Sequence, residues 1–96
     1  MELISKGRAG TLESGDICVV VEKCSDKGIL IDLDSSVASL FGREIKAVIT
    51  KTIQDLGFTS GVKVTATDKG ALNCTIAARI TAAVYRAAES TEFSWK

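Results

Sequence analysis

The apolar residues of this 96-residue chain change their spacing in a fixed order, and that order constrains the fold more than any other feature. Ile17, Val19 and Val21 recur at every second position, as do Ile29, Ile31 and Leu33, so both segments read as strands whose side chains alternate between two faces. Cys18 and Val20 make the second face of the first strand apolar too, which predicts a central position for it. Ser25, Asp26, Lys27 and Gly28 give a turn signal between the two, and predict a hairpin. The spacing then lengthens. Val37, Leu40, Phe41, Ile45, Val48, Ile49, Ile53 and Leu56 share one stripe at helical steps, with Ser35 or Ser36 as the cap and Gly57 as the stop. Val62, Val64 and Ala66 return to period two. Leu72, Ile76, Ile80 and Val84 define the core face of a last helix, whose seven alanines between Ala71 and Ala88 let its backbone lie close to a sheet.

This ββαβα order predicts a single α+β domain over residues 1–96, built in two layers. A right-handed crossover makes the third strand parallel to the second, and the apolar first strand fills the gap between them. The expected sheet is therefore three-stranded, antiparallel/mixed and ordered 2-1-3, with both helices on one face. Residues 1–15, containing Gly7, Gly10 and Gly15, read as a flexible lead-in, and residues 89–96 as a tail. In that tail Phe93 and Trp95 either anchor on a neighbouring subunit or fray.

Composition removes several classes of function. The chain has no histidine, and so lacks the usual neutral general base and the commonest zinc ligand. Cys18, Cys24 and Cys74 are an odd count without a CxxC spacing, and read as reduced thiols rather than metal ligands. Twelve basic and twelve acidic side chains cancel, leaving no bulk positive field for nucleic acid. Glu2, Lys6, Arg8, Glu13 and Asp16 interrupt any signal-peptide core, and no apolar run approaches a membrane span. No membrane partner is expected, and a cytoplasmic location is.

The candidate site is the run Ala9-Gly10-Thr11-Leu12-Glu13-Ser14-Gly15-Asp16, immediately before the first strand. A serine that accepts a bulky phosphodiester-linked group needs access from solvent, which Gly15 would leave open, and Glu13 and Asp16 are placed to orient its hydroxyl. The same residue types also make a plain strand-initiating turn. On composition alone both readings stand.

That run, however, resembles the prosthetic-group attachment segment of the acyl carrier protein, or gamma subunit, of citrate lyase. Three further features agree in order and spacing: Ser35-Ser36-Val37 with Phe41-Gly42, the run Asp68-Lys69-Gly70-Ala71-Leu72-Asn73-Cys74, and Arg79. The resemblance spans essentially the whole chain. It implies that Ser14 carries 2'-(5''-phosphoribosyl)-3'-dephospho-CoA through a phosphodiester bond, installed by a prosthetic-group transferase. It also implies partner alpha and beta subunits: the first exchanges acetyl for citryl on the group's thiol, the second splits the citryl thioester into oxaloacetate and acetyl thioester. Such a carrier needs no catalytic residues of its own, which accounts for the missing histidine. Asn73 departs from the family pattern, where an acidic residue is expected.

Some features carry two readings. Cys18 and Val20, on the face away from the helices, are covered either by a partner subunit or the tail, or simply by the lead-in. Cys74 reads as a small core residue. Lys69, Arg79 and Arg86 make residues 69–86 purely basic, suiting phosphates of the arm, an acidic partner or plain solvation. Between Glu13 and Asp34 six acids oppose two lysines, an asymmetry that could orient docking. Two rival functions need no modification at Ser14: an adaptor or small-ligand-binding regulatory module, and a stand-alone enzyme, which the residue inventory disfavours. A helical-bundle phosphopantetheine carrier is disfavoured by the three strands.

Overall fold

The computed structural model describes residues 3–25, 27–35 and 38–88. Alternating residues form β2 (Ile17–Lys23), β3 (Ile29–Ser35) and β4 (Val62–Asp68), and a short β1 (Gly7–Ala9) precedes them. The helices are α1 (Ala38–Asp55) and α2 (Asn73–Ala88). Among the described residues the sheet therefore has four strands, in the order β1-β2-β4-β3, which corrects the expected three-stranded 2-1-3 sheet on two counts.

The first count is β1, drawn from the stretch read as lead-in. It pairs antiparallel with β2, Arg8 opposite Val20. Gly7 is what lets so short a strand dock: a Cβ there would lie 1.9 Å from the Ala83 carbonyl oxygen and 2.9 Å from the Ala87 Cβ, so the strand backbone rests directly on α2. The alanines of α2 supply the other half of that close approach.

The second count is which strand lies between the others. β4 pairs antiparallel with β2, Val19 opposite Ala66, and parallel with β3, Ile31 opposite Val64. The β2 and β3 strands thus do not form a hairpin. Their connection spans the start of β4 instead: Cys24 N–H donates to the Gly61 carbonyl at 2.9 Å and Gly61 N–H to the Gly28 carbonyl at 3.0 Å, which places Gly61 between the two ends of the connection. The β3–α1–β4 crossover leaves no gap for β2 to enter.

One core joins the sheet to both helices. Ile17, Val19 and Val21 of β2 and Val62, Val64 and Ala66 of β4 are buried against Ile45, Ile49 and Ile53 of α1 and Ile76, Ile80 and Val84 of α2. Each fully buried isoleucine contributes about 1.5–3 kcal/mol relative to exposure. At the end of α1, Gly57 N–H donates to the Gln54 carbonyl at 2.9 Å and Phe58 N–H to the Ile53 carbonyl at 3.2 Å, the paired bonds that close a helix.

Among the described residues, Phe41 of the first helical stripe is 49% exposed and Leu72, which precedes α2, is 70% exposed, so neither is in the core. Ser35 ends β3, and its hydroxyl donates to Asp68 Oδ2 at 2.8 Å. Ser36, Val37, Phe93 and Trp95 lie outside the described residues, so the capping and tail readings placed on them are not addressed. Among the described residues, no helix is long and apolar enough to cross a membrane.

Candidate functional site

The connection from β1 to β2 holds Ser14. Asp16 N–H donates to the Glu13 carbonyl at 3.1 Å, so Glu13, Ser14, Gly15 and Asp16 form a tight turn. Gly15 sits at its third position with φ of +83°, the left-handed conformation such a turn needs and a side chain disfavours. A Cβ on Gly15 would meet nothing within 4 Å, so this glycine serves the backbone angle, and the space beside Ser14 is open as well.

The turn is anchored from several directions. Gly15 N–H donates to the Lys69 carbonyl at 2.7 Å, and Lys69 N–H donates back to the Asp16 carbonyl at 2.9 Å. The Asp16 carboxylate is a hub: Thr11 Oγ1 donates to its Oδ2 at 2.7 Å, Ile17 N–H to its Oδ1 at 2.7 Å, and Arg79 Nε and Nη2 to Oδ1 and Oδ2 at 3.0 and 2.9 Å. The bidentate Arg79 fork first, then the Thr11 hydroxyl and the Ile17 amide, hold this carboxyl well below the usual carboxylate range, against a smaller opposing effect of burial.

The Lys69 turn is itself fixed by Asp68, a fully buried carboxylate. Its Oδ1 accepts from Ala71 N–H at 2.9 Å and its Oδ2 from the Ser35 hydroxyl. Segments far apart in the chain, around residues 11–16, 35, 68–71 and 79, thus meet at one end of the sheet.

Ser14 is exposed, and among the described residues no side-chain hydrogen bond involves it. Glu13 and Asp16 do not orient its hydroxyl as expected; Asp16 is spent on the anchor. Arg79 is not a free cation either, and Arg86 Nη1 donates to the Arg8 carbonyl at 2.6 Å, joining α2 to β1. Sequence reasoning missed the Arg79–Asp16 clasp because 63 residues separate its partners. Asn73 Nδ2 donates to Glu44 Oε1 at 3.2 Å, a bond between the helix starts that an acidic side chain at 73 would replace with repulsion. Cys18 is buried within the chain itself, with no partner subunit needed, whereas Cys74 is exposed rather than in the core. Among the described residues, no cluster of histidine, cysteine, aspartate and glutamate is placed to hold a metal ion.

The fold is two-layer α+β, and it holds Ser14 out on a backbone-anchored turn. The comparisons with known proteins are more specific. Residues 5–87 match the family described as malonate decarboxylase delta subunit. The chain is 51% identical over 96 residues to the citrate lyase acyl carrier protein of Streptococcus uberis, covering 100% of this chain and 93% of the relative. It is 47% identical over 95 residues to that of Fusobacterium nucleatum, covering 99% and 100%. With that of Lactiplantibacillus plantarum it shares 49% identity over 96 residues, covering 100% and 98%. The chain belongs to the citrate lyase acyl carrier protein family. A homoserine kinase from Cytophaga hutchinsonii matches 95% of this chain and 38% of its own with a TM-score of 0.63 at 11% identity, a likeness of fold alone.

Proposed function

We propose that this chain is the acyl carrier subunit of a citrate lyase and that Ser14 is the point at which 2'-(5''-phosphoribosyl)-3'-dephospho-CoA is attached. The observation that carries the reading is the state of Ser14: its hydroxyl is exposed and unpartnered, in a turn whose backbone is tied down on both sides. Esterifying that oxygen breaks no bond of the fold, so the residues present fit the group. When bound, the group supplies a thiol that carries acetyl or citryl as a thioester.

The chain's own residues provide the handle. Asp16, Thr11 and Arg79 fix the turn, and the reciprocal Gly15 and Lys69 bonds fix its distance from α2. A stiff base leaves motion to the tethered group, which raises its effective concentration at each partner site. Its partners are the alpha subunit, which transfers the acyl group, the beta subunit, which cleaves citryl thioester, and the transferase that modifies Ser14. The chain itself is non-catalytic.

Reconstitution tests this. Modified chain with its thiol acetylated, added to separately purified alpha and beta subunits, should restore conversion of citrate to oxaloacetate and acetate, and unmodified or Ser14→Ala chain should restore none. Full activity with Ser14→Ala would reject the assignment.

A further inference from the structure

A groove of about 620 Å³ lies between the starts of α1 and α2, and nothing derived above accounts for it. Its apolar walls are Phe41 and Ile45 on one side and Ala71, Leu72 and Cys74 on the other. Exposed phenylalanine and leucine on two different elements, converging on one hollow, form the kind of surface that a folded chain seldom leaves to water. The volume lies within the range of small-molecule sites, roughly 300–1,000 Å³.

Position ties this groove to Ser14. Gly70 and Ala71 line it, and the neighbouring Lys69 carbonyl accepts the hydrogen bond from Gly15, the residue after Ser14. Tether and groove therefore share a single turn. Charge narrows the occupant further: the lining includes Glu44 and the buried Asp68 and no lysine or arginine. Phosphates are disfavoured there, while an uncharged chain with amide groups and an apolar body is accepted, its amides within reach of the Asn73–Glu44 pair at the rim.

We infer that this groove receives the neutral, thiol-bearing end of the group carried on Ser14 when that group is not engaged by a partner subunit. The inference rests on the carrier reading. Docking there would shield the thioester from water between transfers, and the exposed, shallow walls keep the hold weak enough to release.

The test uses the full-length carrier with its group attached, intact mass first establishing the modification. Amide and methyl NMR shifts between modified and unmodified chain should move at Phe41, Ile45, Ala71 and Leu72 as well as at residues 11–16. Peptide-resolved alkylation of the group's thiol by iodoacetamide should be slower than in a proteolytic fragment of the same chain. A group docked 90% of the time gives about tenfold protection. Phe41→Ser with Leu72→Ser, both exposed positions, should abolish the protection while the chain stays folded and modified. Shifts confined to residues 11–16 with equal alkylation in all chains would overturn the inference and leave the carrier reading intact. Shifts in the groove that arise only on adding alpha or beta subunit would assign it to a partner and overturn it too. A chain that is never modified would instead remove the reading beneath it.

Discussion

Ser14 and Asp16 are two residues apart and do opposite work. The hydroxyl of Ser14 takes no part in the fold, so Ser14→Ala should change the free energy of unfolding by no more than about 0.5 kcal/mol, measured by urea titration. A larger loss would mean the turn needs that oxygen. Asp16 is tied to the fold by the Arg79 fork, Thr11 and the Ile17 amide, and its carboxyl titrates below its unfolded value of about 3.9. A depressed folded value contributes stability that is full above the unfolded value and lost as pH falls toward the folded one. The wild-type urea midpoint should therefore drop from about pH 4 downward, and Asp16→Asn should be less stable at neutral pH and show less of that drop. Arg79 is part-exposed, so salt should weaken the effect. The residues of this clasp were legible as motif members, but not their pairing, because nothing in local spacing brings residue 79 to residue 16.

At the scale of elements, periodicity located β2, β3, β4 and both helices to within a few residues but did not order the strands. The apolar second face of β2, from Cys18 and Val20, marks an interior strand, and β2 is interior, between β1 and β4. β4 carries Lys63, Thr65 and Thr67 on its second face, as a half-buried strand does, and it lies between β2 and β3 rather than outside β2 as the crossover argument predicts. On β4 the face away from the helices is part-exposed, and its polarity reports solvent rather than sheet position. β1 escaped notice because three residues, one of them Gly7, cannot show an alternation. Gly7 should be intolerant: Gly7→Ala forces its new Cβ into the Ala83 carbonyl and should cost about 1–3 kcal/mol in chemical unfolding. Ile80→Ala in α2 should cost about 2–5 kcal/mol and Leu72→Ala, just before α2, well under 1 kcal/mol, since one is fully buried and the other mostly exposed. Equal losses would contradict the placement of Leu72 outside the core.

For the whole molecule, the apolar core and the end that exposes Ser14 are separate regions. The sheet, α1 and α2 share a single apolar cluster, while the buried polar group Asp68 stands at the end where the turns meet. The mutual dependence of the turns around residues 11–16 and 68–71 explains why the motif runs that carry the family resemblance lie far apart in sequence and together in space. Intact-mass measurement of the chain isolated from the cell that makes it tests most directly whether Ser14 is the tether. The wild-type chain should be heavier than its sequence by one phosphoribosyl-dephospho-CoA group, with the increment mapping to the peptide containing Ser14 and absent from Ser14→Ala. An unmodified wild-type chain within an active lyase, or an increment that survives Ser14→Ala, would contradict it.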